Sequence, residues 1–312
     1  MSWLGRPYRG LIIAFAAISG LAMMAAISVA QTAPIKKIEI ISVIGPELTN
    51  SRRLNHPCAV AVNDANEIYI ADYGNDRIVK LDSAYNLIAE YGGYGQGEIS
   101  LNGPASIALD VVSNVYVVDS GNRWIRRLDR MLNLVSIHRN LQNSISLPVC
   151  IDISPRGEII FGDEGAGGFF ILDPLLNSVT EFVLDWQGSG ARFGRPSAIS
   201  IDHRGNIYVC DIDLGSVVIF DEFGSKTGSI GEEILKRPTG IGISPLGVWV
   251  ADELLAGLVC FYADSRETFF WPGEKGKKLI KPKGLAVTQE GLIVLTDAGA
   301  DEIFVLQPII GD

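Results

Sequence analysis

Six aspartates recur at equivalent places in the chain, each at the end of a short apolar run. These residues are Asp72, Asp119, Asp163, Asp211, Asp252 and Asp297. Carboxylates that converge could bind a cation or abstract a proton as a general base. Each carboxylate could instead accept backbone N–H bonds and cap its own loop. A catalytic residue is needed only once, so the repetition favours the capping interpretation.

Basic side chains precede four of the six regularly spaced prolines. They are His56, Arg195, Arg237 and Lys281. They could form a rim that binds anions, but pairing with the aspartates of adjoining loops is the simpler interpretation. The remaining histidines, His138 and His203, fall in other parts of the repeat, so no histidine metal site is predicted. A calcium site made of carboxylate and carbonyl oxygens stays open.

The second repeat unit concentrates positive charge, whereas the later units add acids next to their aspartates. The basic residues are Arg123, Arg126, Arg127, Arg130, His138 and Arg139, and the added acids are Glu164, Asp213, Glu253, Asp301 and Glu302. A face polarised in this way, with Tyr73 and Trp124 exposed on it, could steer a bipolar ligand or a protein partner. A solvated surface with ordinary salt bridges is the alternative. The predicted ligand face consists of His56, Asp72, Tyr73, Arg77, Asp119, Arg123, Trp124, Asp163, Arg195, Asp211, Asp213, Arg237, Asp252, Lys281 and Asp297.

These residues are positioned by a repeat of about 45 residues that occurs six times. Each unit starts at a proline, and the prolines are Pro57, Pro104, Pro148, Pro196, Pro238 and Pro282. Strand a follows the proline, then a tight turn, then strand b ending in the aspartate, then a loop and strand c. A fourth strand, d, follows a turn marked by residues such as Asn86 and Asn133.

Six such sheets predict an all-β fold, a six-bladed β-propeller of four-stranded antiparallel blades. The last unit supplies only strands a to c, and the lone strand Lys36–Ile44 precedes the first unit. We expect this N-terminal strand to complete the last blade and remove an exposed sheet edge. The loops between strands b and c and the connections into strand a then share one face around a central channel.

Composition narrows the classes of function. The chain has 312 residues, a net charge of −10, 34 Gly and 14 Pro. An acidic chain lacks the surplus of bases that phosphate binding needs, so no nucleic-acid partner is predicted. The four cysteines, Cys58, Cys150, Cys210 and Cys260, fall in four different units. Cys150 and Cys210 could pair, but buried free thiols are the favoured interpretation.

Residues 1–30 have the pattern of a targeting segment. Arg6 and Arg9 precede an uncharged apolar stretch that ends in Ser28-Val29-Ala30, a small-x-small pattern before Gln31. The stretch is a signal peptide or, uncleaved, an N-terminal anchor that would be the chain's only link to a membrane. We therefore expect an exported protein, periplasmic or extracellular, with residues 31–312 as the propeller.

The first unit carries a family resemblance. Leu54-Asn55-His56-Pro57 with Ala71-Asp72-Tyr73-Gly74-Asn75-Asp76-Arg77, and the connector Tyr91-Gly92-Gly93-Tyr94-Gly95, closely resemble the NHL repeat. The likeness covers residues 36–307 and is strongest in units 1, 2 and 4. It implies a six-bladed propeller but no single function, since NHL proteins include a peptide-amidating lyase, RNA-binding regulators and extracellular sensor domains.

The resemblance also bears on zinc. The family's amidating lyase binds zinc through histidines placed directly after the strand-a prolines. The equivalent residues are Cys58, Ala105, Val149, Ser197, Thr239 and Lys283. None is histidine, so that zinc site is not expected here.

We therefore predict a binding or interaction scaffold whose ligand is a protein, peptide or glycan. The alternative is a lyase or hydrolase that uses a divalent cation in the channel, with Asp72, Asp211 and Asp297 as its carboxylates. An enzyme would need carboxylates at the channel mouth that no Arg or Lys neutralises. A scaffold would need exposed aromatic or apolar side chains on one face.

Overall fold

A computed structural model describes residues 34–45, 53–139, 146–173, 178–182, 194–263 and 266–311. The predicted targeting segment, residues 1–30, and Asn177 lie outside these ranges. Within them, no helix is both long and apolar enough to cross a bilayer.

The described strands form six four-stranded antiparallel sheets, which confirms the predicted propeller. Blade 1 runs from Pro57 to Gly92, blade 2 from Pro104 to His138, blade 3 from Pro148 to Phe182, blade 4 from Pro196 to Ile230 and blade 5 from Pro238 to Trp271. Blade 6 consists of three strands between Pro282 and Ile310, completed by the N-terminal strand Ile35–Ile44, and residues 273–278 form a separate small hairpin.

The strand bounds follow the repeat predicted from the sequence. The N-terminal strand is β1 Ile35–Ile44. For the first three blades the bounds are β2 Pro57–Val62, β3 Ile68–Asp72, β4 Arg77–Leu81, β5 Leu87–Gly92, β6 Pro104–Leu109, β7 Val115–Asp119, β8 Trp124–Leu128, β9 Leu134–His138, β10 Pro148–Ile153, β11 Ile159–Asp163, β12 Gly168–Asp173 and β13 Ser178–Phe182. For the others they are β14 Pro196–Ile201, β15 Ile207–Asp211, β16 Ser216–Phe220, β17 Lys226–Ile230, β18 Pro238–Ser244, β19 Gly247–Asp252, β20 Gly257–Tyr262, β21 Thr268–Trp271, β22 Gly273–Glu274, β23 Lys277–Lys278, β24 Pro282–Val287, β25 Ile293–Asp297 and β26 Glu302–Ile310.

The ring closes as predicted. Strand β1 pairs antiparallel with β26, from Ile35 opposite Ile310 to Ile44 opposite Ile303. This gives blade 6 its fourth strand and covers the outer edge of β26. Each of the six strand-a prolines pairs with the aspartate of its blade, as Pro57 does with Asp72. The proline therefore begins the innermost strand, where its missing N–H disrupts the ladder least.

The turns between strands a and b show why the sequence specifies hairpins there. In five of the six turns the ninth residue after the proline has a positive φ between 57° and 88°, and two of these residues are not glycine: Asn66 at 57° and Ser113 at 64°. The other three are Gly157, Gly205 and Gly291, and glycine adopts this conformation without strain. In blade 5 the equivalent Gly247 is the first residue of β19.

Among the described residues, the hydrophobic core consists of six clusters, one between each pair of neighbouring blades. The cluster between blades 6 and 1 joins Val294 and Val305 to Ile70 and Val79, so the closing seam is as apolar as the others. The cysteines are free thiols. Cys150 belongs to the cluster between blades 3 and 4 and Cys210 to the next one, so the bond considered between them is not formed.

Candidate functional site

The alternation of strands places all loops between strands b and c, and all connections into strand a, on one side of the ring. We call this side the top face and the other side the bottom face. The top face contains the six aspartates, the residues before the prolines and the mouth of the channel, as the sequence predicts.

The six aspartates of the top face are fully buried. Asp252 is representative: one carboxylate oxygen accepts the N–H groups of Lys236 and Arg237, and the other accepts those of Leu254 and Leu255, at 2.7 to 3.0 Å. Each aspartate thus joins the connection before its blade to its own b–c loop. This bonding supports the capping interpretation and leaves little of the carboxylates for a ligand.

In blades 1 and 2 the aspartate also pairs with a buried arginine. Arg77 Nε lies 2.7 Å from Asp72, and Arg126 Nε lies 2.8 Å from Asp119. Arg77 was expected on the ligand face, but it is only 2% exposed. In blade 2 the position that matches Arg77 is Trp124, so the arginine comes two residues later, on the same face of the strand.

The basic residues before the prolines make other contacts. Arg195 lies 2.9 Å from Asp213 and 3.4 Å from Glu164, so its partners are exposed acids rather than the buried aspartates. Lys281 is exposed and pairs with none of the described carboxylates. His56 donates its backbone N–H to Asp301, and its ring contacts the neighbouring Asn55.

A salt bridge on the top face also joins blades 5 and 6. Glu253 lies 2.7 Å from Lys283 and 3.2 Å from Arg237. Burial opposes ionisation of Glu253, but hydrogen bonding to Lys283 and the charges of Lys283 and Arg237 outweigh it and lower its pKa.

The basic wall predicted for blade 2 forms only in part: Arg123, in the b–c loop, and Arg139, just after strand d, are exposed at the top face. Arg126 is in the core, and Arg130 lies in the turn between strands c and d, on the bottom face, where it pairs with Glu67. Trp124 is half-buried, and the guanidinium groups of Arg126 and Arg139 lie 5.1 and 4.7 Å from its ring centre. Arg126 and Arg130 do not join the wall, because strand alternation and turn position separate residues that are close in sequence.

The top face instead exposes large apolar side chains. They are Tyr73, Tyr94, Ile99, Leu147, Leu214, Ile234, Leu254 and Ile280. Tyr94 is 79% exposed and Leu254 68% exposed. Every acid in the described b–c loops, by contrast, already has a partner: Glu164, Asp213 and Glu253 pair with bases, while Asp76 and Asp301 accept backbone N–H groups.

The central channel is narrow. Strand-a residues of the six blades line a cavity of about 60 Å³, which has room for a few water molecules but not for a peptide or sugar. The Ser197 and Thr239 hydroxyls donate to Pro238 and Pro282 of the following blade at 2.7 and 2.8 Å. The described residues contain no group of three or more His, Cys, Asp or Glu side chains placed to hold a metal. Calcium bound by other oxygens stays a prediction.

The sequence analysis missed Asp152. It lies on the innermost strand of blade 3, where the other five blades have Ala61, Ala108, Ser200, Gly242 and Ala286. Its carboxylate accepts the N–H of Ile153 and that of Ile201 in blade 4, both at 2.8 Å. Burial raises its pKa to about 7, since these two N–H bonds only partly offset the desolvation. The sequence could have singled out Asp152, because the other five repeat units have a small residue at the equivalent position.

Comparison with solved structures supports the fold. The chain is similar to virginiamycin B lyase from Staphylococcus aureus, with a TM-score of 0.62 and 13% identity over 88% of this chain and 100% of that one. A streptogramin B lyase gives 0.62 and 11% over 87% and 97%. A protein of unknown function from Bacteroides thetaiotaomicron gives 0.69 and 14% over 86% and 76%. At these identities the likeness concerns the fold alone.

No protein-family model matches the chain, so the NHL resemblance rests on the motifs given above. No curated protein matches it either.

Proposed function

We propose that this chain is an exported propeller of the NHL type that binds a protein or peptide segment on its top face. The observation that carries the proposal is the set of eight large apolar side chains exposed in the loops of the top face, against four in the described turns of the bottom face: Val111, Val112, Met131 and Phe223. Exposed apolar side chains grouped on one face of a folded domain are typical of an interaction surface. Aromatic members such as Tyr73 and Tyr94 can anchor a partner at low entropic cost.

The chemistry of the top face favours binding over catalysis. The acids of the b–c loops are neutralised by bases or bonded to backbone N–H groups. A general base needs a carboxylate or imidazole that can reach the substrate, and the six aspartates are buried behind the loops. A peptide requires only apolar contacts and backbone hydrogen bonds, which loops can provide.

A displayed library of random peptides, selected against the purified chain, tests the proposal. Peptides enriched by the wild-type chain should fail to bind Leu254→Asp, which places a charge on the top face. Phe223→Asp is the matched control, because Phe223 is 69% exposed, like Leu254, but lies on the bottom face. Selected peptides that bind Leu254→Asp as well as Phe223→Asp would contradict the proposal.

The alternative function is a lyase or hydrolase that depends on a divalent cation. What favours it is the fold that this chain shares with proteins described as virginiamycin B and streptogramin B lyases. The carboxylates first considered for it, Asp72, Asp211 and Asp297, already accept several N–H bonds each. Metal analysis of the purified chain, with thermal unfolding in the presence and absence of chelator, tests it. No bound metal and an unchanged midpoint would reject a metal-dependent enzyme.

Export is part of the proposal. Residues 1–30 are the proposed signal peptide or anchor, on the basis of Arg6, Arg9 and the apolar stretch after them. N-terminal sequencing of the protein recovered from its host envelope should begin at Gln31 if the segment is cleaved. Recovery of the protein with the segment intact from the cytosolic fraction would refute export.

A further inference from the structure

Blades 5 and 6 differ from the rest of the top face in the connection between them. There the chain forms a hairpin, β22 and β23, that turns at Gly276. Residues 274–283 contain five lysines and one glutamate, in a chain whose net charge is −10. We call residues 273–281 the lysine hairpin.

The cations of this region divide into two groups. Lys277 lies 2.8 Å from Glu302, and Lys283 lies 2.7 Å from Glu253, so both are neutralised within the protein. Lys275, Lys278 and Lys281 are exposed, and none of them lies within ion-pair distance of a described carboxylate. Their charges are therefore available to a partner.

Exposed apolar side chains accompany these lysines. Ile280, at the end of the hairpin, is 55% exposed and packs on the loop of blade 6 at Gly299. Leu254, in the neighbouring loop of blade 5, is 68% exposed. Lys281 is close enough to Glu253, the residue before Leu254, for its charge to lower the pKa of that acid. The free lysines and the two apolar side chains thus belong to one sector of the top face.

We propose that this sector, the lysine hairpin with Leu254 and Ile280, binds an acidic polypeptide segment that carries apolar residues. The inference rests on the proposed function and specifies its partner. Charge complementarity decides the class of partner: the free lysines attract carboxylates, while Leu254 and Ile280 bury apolar side chains of the same segment. The acidic remainder of the chain repels such a partner elsewhere and so directs it to the hairpin.

The test uses three short fluorescent peptides in which leucine alternates with glutamate, glutamine or lysine. The glutamate peptide should bind the wild-type chain best, and more weakly as salt increases. Lys275→Glu with Lys278→Glu should weaken its binding about tenfold, as expected when attraction at a rim becomes repulsion. The matched control is Lys36→Glu with Arg204→Glu, which makes the same change in net charge at exposed residues outside the top face.

The outcomes separate this inference from the proposed function. If a peptide loses binding to Leu254→Asp but is unaffected by the hairpin reversal, the top face binds peptides and the acidic class is wrong. Vesicles containing phosphatidylglycerol that bind through the hairpin, with no peptide binding, would assign the sector to an anionic membrane and overturn the peptide partner. Binding of neither probe, with the library selection also negative, would overturn both proposals.

Discussion

The first two blades and the last four stabilise the buried aspartates at the end of strand b in different ways. In blades 1 and 2 a buried cation accompanies the acid: Arg77 with Asp72, Arg126 with Asp119, and Lys80 with Glu67. In blades 3 to 6 the buried aspartates of strand b accept N–H groups and have no arginine or lysine within ion-pair distance in the described chain.

Glu67, which cations hold, and Asp211 and Asp152, which backbone N–H groups hold, have pKa values shifted in opposite directions. Burial opposes ionisation of Glu67, but hydrogen bonds from Arg130, Lys80 and Asn63 outweigh it and lower its pKa to about 2. Burial raises the pKa of Asp211, and it raises that of Asp152 to about 7. The same repeat therefore holds a carboxylate either as one partner of an ion pair or as an acceptor of backbone N–H groups, and only the first arrangement needs a specific partner residue.

The largest effect on the free energy of unfolding is expected when the buried arginine of blade 1 or blade 2 is removed. Arg126→Met leaves Asp119 as an uncompensated buried charge and should lower the free energy of unfolding by about 3–5 kcal/mol. Chemical denaturation followed by tryptophan fluorescence measures it. Arg139→Met is the control, since the Arg139–Glu98 pair is exposed and its loss should cost about 1 kcal/mol or less. Equal effects of the two substitutions would show that burial of the pair does not matter.

A smaller effect is expected where only N–H groups hold the aspartate. Asp252→Asn keeps one acceptor oxygen and turns an amide toward N–H donors, so it should cost about 1–3 kcal/mol in unfolding free energy. The same denaturation experiment measures it. If Asp252→Asn lowered the free energy of unfolding more than Arg126→Met does, the N–H-bonded aspartates of blades 3 to 6 would matter more than the ion pairs of blades 1 and 2.

Glu67 tests the comparison at acidic pH. Because its folded pKa is about 2 and its ordinary value is 4.5, its stabilisation is complete above about pH 4.5 and disappears as the pH falls toward 2. Glu67→Gln should remove this part of the acid-induced loss of stability. The measurement is the urea midpoint of both proteins across this pH range. If the midpoint of Glu67→Gln depended on pH as steeply as that of the wild type, the result would contradict stabilisation by the ion pairs of Glu67.

Asp152 should give the opposite slope. Its folded pKa of about 7 exceeds its ordinary value of 3.8, so the folded state retains the proton and loses stability as the pH rises between these values. Asp152→Asn should flatten the pH dependence of the urea midpoint in this interval. If stability instead rose less steeply with pH in the variant than in the wild type, the carboxylate must be ionised and stabilised in the folded chain.

The sequence predicted the architecture well because the fold depends on local signals repeated six times. The prolines, the positive-φ turns and the terminal aspartates determine strand order, and the lone strand at Ile35–Ile44 has only one free edge to complete. The top face was predicted less well. Arg77 and Arg126 point inward because of the register of their strands, and the lysine hairpin falls in a connection that the repeat does not specify.

The smallest effect on stability is expected on the top face, where the central claim lies. Leu254→Asp changes an exposed side chain and should alter the unfolding free energy by no more than about 0.5 kcal/mol, like Phe223→Asp on the bottom face. Peptides selected from a displayed library on the wild-type chain should then lose binding to Leu254→Asp and keep it with Phe223→Asp. Equal binding to both stable variants would contradict the claim that the top face is the binding surface.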